Sequence, residues 1–262
     1  MNHFKLYFRY IRLHLLSGME YKGWWLMVLT VVLACVVDPS GTILMFMRFG
    51  NVGEWTVERI LLIYAIAVTS YGLAESFFRG FDYFPSRMIR SGEFDRLLLR
   101  PRPLFVQAAA AFFHIHRIAR PSAGIIIIAW CLWRQGVMLT PATASMLVLA
   151  LAGGLVAYGG VLVMISGIAF FTVRAMEWST VFTNGSYQVT RIPREYAPRF
   201  LRNIFTFFMP MLVISYFPAS VICGWGEPFW RGWLALPAGL AFMGASLIVW
   251  RIGIRHYKST GS

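Results

Sequence analysis

Long apolar stretches alternate with short polar ones along almost the whole chain. Apolar runs fall at about residues 24–46, 60–81, 121–139, 142–173 and 200–223, and a last one ends near Trp250 after a tryptophan-rich connection, Trp225 to Trp233. Inside a bilayer every backbone N–H and C=O must be satisfied within the chain, and a helix of roughly twenty residues does this while crossing the hydrocarbon. The pattern predicts an all-α integral membrane protein with six transmembrane helices. The fourth run, thirty-two residues long, exceeds what a bilayer needs and is expected to tilt or project. Asp38-Pro39-Ser40-Gly41 interrupts the first, which predicts a kinked helix or a shorter helix with a re-entrant end. Pro210 and Pro218 fall inside the fifth. Ahead of the first span, Phe4, Tyr7, Phe8, Ile11 and Leu15 follow helical spacing between Lys5, Arg9 and Arg12. Residues 1–23 are therefore expected to hold an amphipathic helix lying in the membrane surface. A six-span domain over 24–254 and a short tail over 255–262 follow, with inner loops at 82–120 and 174–199.

Composition supports the membrane assignment, since 58% of the 262 residues are hydrophobic and only 13% are charged. Soluble domains carry about a quarter charged residues. A net charge of +13 would suit a nucleic-acid partner, but the positive residues follow the membrane pattern instead, and no nucleic acid is expected. One set of alternating loops holds twenty of the 24 lysines and arginines; the opposite set holds only Arg48, Arg59, Arg134 and Arg231. The positive-inside rule then places both termini and the 82–120 loop in the cytoplasm. No cleavable signal peptide is evident in the N-terminal stretch. Cys35, Cys131 and Cys223 stand alone in apolar surroundings and read as packed thiols.

Between the second and third runs, Pro85 to Pro103 carries seven charges in fewer than twenty residues. Pro85 is expected to open a short helix, Gly92 to divide it, and Pro101 and Pro103 to stop it. In the second piece Phe94, Leu97 and Leu98 share a face, while Glu93, Arg96 and Arg100 fall to the other side. An amphipathic helix in a basic loop either docks a soluble partner or rests on lipid, and spacing alone favours lipid.

Few residues offer chemistry. The G-x-x-x-x-G-K-[ST] phosphate loop is absent from the sequence, which excludes ATP hydrolysis by that machinery. His114-Ile115-His116 has no nearby third ligand, and imidazoles two residues apart on a helix point apart. The costly group is Glu75, an acid inside the second run, with pairing to Arg79 at i+4 and a role in a translocation path as the two readings. Gly153, Gly154, Gly159 and Gly160 in the fourth run suit close helix approach.

Ser91-Gly92-Glu93-Phe94-Asp95-Arg96-Leu97-Leu98-Leu99-Arg100-Pro101, in the first inner loop of six spans, resembles the permease subunits of type-2 ABC exporters. More narrowly, it is similar to a bacterial subfamily whose loop reads roughly G-x-[ILF]-D-x-[LY]-L-[LT]-[RK]-P. Arg191-Ile192-Pro193-Arg194-Glu195-Tyr196-Ala197-Pro198, then Met209-Pro210 and Tyr216-Phe217-Pro218-Ala219, fit the same subfamily, so the resemblance covers nearly the whole chain. It implies a multi-pass permease of the bacterial inner membrane that binds no cofactor itself. ATP and Mg would sit on two copies of a separate ABC ATPase subunit, and the permease would pair with a second copy or a paralogue. The resemblance assigns Ser91, Gly92, Glu93, Phe94, Asp95, Arg96, Leu97 and Leu98 to a coupling helix that contacts the ATPase. It also implies a path between two permeases lined by the first, second and fifth spans, where Tyr71, Glu75, Phe78, Met209 and Tyr216 are the candidates. The expected function is export of a hydrophobic or amphiphilic substrate by alternating access. A non-transporting scaffold or sensor domain and a secondary transporter are the alternatives; few buried ionisable residues and no evident inverted repeat weigh against the latter.

Overall fold

The computed structural model describes residues 23–89, 92–112, 115–172, 185–186, 188–190, 192 and 197–257. The expected N-terminal surface helix, most of the 174–199 loop and the end of the tail lie outside them, as do Ser91 and His114. Among the described residues every element is helical, apart from one isolated bridge between Val52 and Trp55.

Helix α1 (Trp24–Phe49) runs on through Asp38-Pro39-Ser40-Gly41, so of the two expected forms the chain takes the helix that continues past its proline and not the shorter helix with a re-entrant end. Pro39 removes one backbone donor, and the Ser40 hydroxyl donates to the Val37 carbonyl at 2.6 Å. In apolar surroundings continuing the helix is cheaper than freeing a turn of backbone groups. α1 stands at the periphery: only 6% of its apolar stretch is buried, and Trp25, Leu29, Leu33, Val36 and Leu44 face outward.

Helix α2 (Val57–Tyr83) is the opposite case. Its N-cap Thr56 accepts from the Arg59 N–H, and Ile60 through Gly72 are buried without a gap. A helix apolar on every side is covered either by lipid or by other helices, and here neighbouring helices supply the cover. α2 is therefore the axis of the bundle. The expected helix start at Pro85 is not observed; Phe84–Ile89 continues α2 as a wide π-type turn that absorbs the missing proline donor. Gly92 then takes φ +74, which a glycine adopts at no steric cost, and starts α3 (Glu93–Leu98). After the stop at Pro101 and Pro103 comes α4 (Leu104–Ala110), set so close to α2 that a Cβ on Gly80 would fall on the Ala108 carbonyl.

A 3-10 turn, Ile115–Ile118, leads into α5 (Ala119–Arg134). α5 ends five residues before the expected boundary, because Gly136 at φ +65 turns the chain and the Gly136 and Val137 N–H groups cap its last carbonyls. At sixteen residues it is short for a span by itself. Helix α6 (Pro141–Ile168) begins with a capping box between Thr140 and Thr143 and stops short of the expected Val173. The expected fifth span is broken. α7 (Arg199–Asn203) and its π-type extension to Phe208 meet α8 (Met211–Ile222) at 93°. Pro210 disfavours helical dihedrals at the residue before it, and Met209 accordingly sits in the extended region at φ −120° and ψ 101°. A 3-10 turn, Phe229–Leu234, precedes α9 (Ala235–His256).

The four α6 glycines serve different neighbours. Gly153 lets the backbones of α6 and α9 touch at Ala235 and Gly239, and Gly160 faces Phe242 and Ser246. Gly154 makes room for Ser70 of α2 and Gly159 for the Phe78 ring. The chain is thus an integral multi-pass membrane protein. Among the described residues four helical stretches, Trp25–Phe49, Val57–Ile89, Pro141–Ile168 and Phe229–His256, are long and apolar enough to cross a bilayer, and the bent pair makes up to five.

Gly80→Val is expected to push α4 off α2. Overpacking of this kind costs about 1–3 kcal/mol. It should lower the unfolding temperature in detergent and open new proteolytic cleavage between Arg100 and Arg120, with the spans left intact.

Candidate functional site

Two arrangements stand apart from ordinary packing: the seat of α3, and a buried charge cluster midway between α3 and the far end of α2.

α3 presents its apolar side to its own chain. Phe94 is 0% exposed, and its ring meets Phe84 at 5.4 Å, Phe170 at 5.3 Å and Tyr257 at 4.7 Å between centroids, all edge-on. Phe84 in turn lies 4.8 Å from Trp250, and Phe81 5.1 Å from the same indole. The ends of α2, α6 and α9 thereby close on α3 in one aromatic nest. Edge-to-face pairs contribute roughly 0.5–1.5 kcal/mol each beyond their area burial. Leu97 is buried with Phe94, but Leu98 is exposed, so the three residues expected to share a face divide. The surface left to a partner carries Glu93, Arg96, Leu98, Leu99 and Arg100, with Asp95 half-buried. Glu93, Arg96, Leu97 and Arg100 also border a cleft of about 310 Å³, closed by Met88, Gln107 and Ala111.

The charge cluster centres on Glu75, 2% exposed. Its Oε1 accepts from Arg79 Nη1 at 2.6 Å and from Arg117 Nη1 at 3.0 Å, and its Oε2 accepts from Arg120 Nη1 at 2.6 Å. Arg79 also pairs with Asp82 at 2.9 Å and lies over the Tyr83 ring at 4.9 Å. Arg120 lies over Tyr71 at 5.3 Å. The expected i+4 partner is present, but the other two come from the 3-10 turn and the start of α5. An ionised carboxylate taken out of water needs this much compensation.

The candidate path residues do not form one lining within the chain. Tyr71 and Glu75 share the charge cluster, whereas Phe78 packs on the α6 side of α2 against Phe81 and Phe105. Met209 marks the break before α8, and Tyr216 belongs to a separate aromatic group with Trp55 and Phe217. All of these except Phe78 are buried within the chain. Sequence reading missed Arg117 and Arg120 as partners of Glu75, and Phe170, Trp250 and Tyr257 as the seat of Phe94. Separations of 42 and 45 residues leave no periodic signal.

Glu75→Gln leaves three clustered guanidiniums without their shared anion, and breaking a buried pair from that side costs about 3–5 kcal/mol. Arg117→Gln leaves Glu75 with two arginines. It is expected to lower the unfolding temperature far less than Glu75→Gln, and the two changes should combine non-additively in a thermal melt.

No curated protein and no solved structure matches this sequence. A family model described as ABC-2 family transporter protein matches residues 32–261, from within α1 to past the end of α9. With a bundle of apolar helices and a match over nearly the whole chain, the protein belongs to the ABC-2 transporter family, as a membrane component of transport that is generally not itself catalytic.

Proposed function

We propose that this chain is the membrane-spanning subunit of an ATP-driven exporter, worked by a separate ABC ATPase that docks on α3. The observation that carries this reading is the aromatic seat of Phe94. A short helix with a charged outer surface is fastened at its inner surface to the ends of α2, α6 and α9. A displacement applied to α3 therefore reaches three spans at once, because packed aromatic contacts resist compression. Two ATPase copies, carrying ATP and Mg, would close on each other and drag α3 with them, and the permease dimer would switch between inward and outward access.

In this reading α5 and its 3-10 lead-in count as the third of six spans, and the bent α7–α8 pair as the fifth. The twenty-to-four distribution of cationic residues supports a cytoplasmic location for both ends and α3, and the membrane is in this reading a bacterial inner membrane. A second copy or a paralogous permease completes the path for a hydrophobic or amphiphilic substrate. The sparsely covered α1 has apolar surface for that contact as well as for lipid.

Reversing charge on α3 tests the docking. Asp95→Lys or Glu93→Lys replaces attraction by repulsion and should abolish ATPase retention in a detergent pull-down, with the permease folded. Retention and stimulation at wild-type level by both variants would refute docking on α3. Phe94→Ala is expected to act differently, because this ring faces the chain's own core. It should keep some ATPase bound but lose stimulation, as the link from α3 to the spans loosens. Orientation is checked with single cysteines at Arg96 and Trp230, both exposed, in a background lacking the three native thiols. An impermeant reagent on intact cells should label position 230 and leave position 96 unlabelled.

A further inference from the structure

Each of the three arginines around Glu75 spends an Nη1 on the carboxylate, end-on. A guanidinium has five N–H donors, and its side-on edge, Nε with one Nη, is the edge that grips a two-oxygen anion in parallel hydrogen bonds. On Arg117 the Nε is buried and has no hydrogen-bond partner among the described residues, and the same holds for the Nε of Arg79, whose Nη2 donates to the Tyr83 hydroxyl at 3.4 Å. A buried donor left without an acceptor is costly, so two at one place point to a missing acceptor.

The surroundings say what kind of acceptor fits. Asp82 is engaged by Arg79, and Asp38 lies beyond Arg120 in a narrow cleft under α1, where it accepts from the Tyr64 hydroxyl at 3.2 Å. Arg87 adds a further cation over Phe112, whose ring packs on Tyr83. The side chains of Arg117 and Arg120 are each 20% exposed, so the cluster can be reached from their flank. Glu75 lies about 27 Å along α2 from Val57, at ~1.5 Å per residue. In the orientation proposed above that is close to the inner edge of a hydrocarbon layer about 30 Å thick. The uncovered apolar face of α1 stands nearby, since Ala34 and Cys35 of α1 line the same cleft as Arg120.

We infer that Arg79, Arg117 and Arg120 form a binding site for the anionic headgroup, phosphate or carboxylate, of an inner-leaflet amphiphile whose tail stays in the apolar layer beside α1. A basic pocket between helices on the cytoplasmic side is the setting in which such headgroups are held. The uncovered apolar face of α1 beside the cluster gives a tail a place to lie, which is why the ligand is an amphiphile rather than a free anion. Binding itself is independent of the ATPase; that the amphiphile is cargo rather than a resident lipid rests on the exporter reading.

The test uses the purified full-length chain in neutral detergent. Phosphatidylglycerol and phosphatidylcholine with the same acyl chains, and inorganic phosphate, are titrated while the unfolding temperature and native mass spectrum are followed. Phosphatidylglycerol should bind and raise the unfolding temperature, and the other two should not. Arg117→Gln should weaken phosphatidylglycerol binding about ten-fold, the loss of one charge-assisted contact. Arg134→Gln, at the exposed far end of α5, should leave it unchanged. Equal weakening by both variants, or equal stabilisation by inorganic phosphate, would overturn the site. A photoactivatable phosphatidylglycerol on the wild-type protein provides a readout free of mutation: crosslinks should map to residues 115–120 or 79–87, and crosslinks only elsewhere would overturn it. Transport of labelled phosphatidylglycerol in vesicles with the ATPase separates cargo from resident lipid. Arg117→Gln should still retain the ATPase in a pull-down, so that loss of headgroup binding is distinguished from loss of docking on α3.

Discussion

A carboxylate inside an apolar bundle must be surrounded by cations or give up its charge, and Glu75 is surrounded. Much of the molecule's arrangement follows from where those cations come from. Arg79 lies on the same helix, but Arg117 and Arg120 belong to the segment that re-enters the bundle after the long inner loop. The pairs therefore pin the start of α5 to the middle of α2. Gly72 on α2 and Gly124 on α5 allow this approach: a Cβ on the first would crowd Pro121 at 2.7 Å, and one on the second would strike Thr69. Small residues bring the backbones together and the ion cluster sets their register.

With α5 pinned at one end and the π-type turn of α2 at the other, the loop carrying α3 and α4 has both ends fixed to the central helix. Its interior is then settled by packing. Phe94 fills the space between Phe84, Phe170 and Tyr257, and Gly80 admits the α4 backbone against α2. The outer surface of α3 keeps its charges. The result is a charged surface element packed directly against the ends of three long helices. α1 shows the contrast, since it touches the bundle lightly and leaves most of its apolar side uncovered by the rest of the chain.

Much of the fold was legible because its causes are local. Helix identity follows from the need to satisfy backbone groups in an apolar run, and the glycine at position 92 marks a turn that only a positive φ makes. The break at Met209-Pro210 was also written in the chain, since a proline pushes its predecessor out of helical dihedrals. The run reads as one span with Pro210 inside it, and the structure bends it by 93° there. Asp38-Pro39-Ser40-Gly41 left two forms open, and the continuous one is observed because punctuation that ends a helix in water is overridden by apolar surroundings.

The sequence by itself determined a helical membrane protein, the loop that holds α3, the amphipathic character of that helix and the oddity of an acid at position 75. Each rests on neighbours within a turn or two, where spacing and chemistry suffice. Only the tertiary structure decided that Phe94 faces inward, that α2 is the covered helix and α1 the bare one, and that Glu75 is held by Arg117 and Arg120. Both helices are apolar along their length, so hydropathy cannot say which one the others will surround. A contact across 42 or 45 residues depends on how the intervening loop folds back, and no periodicity records it.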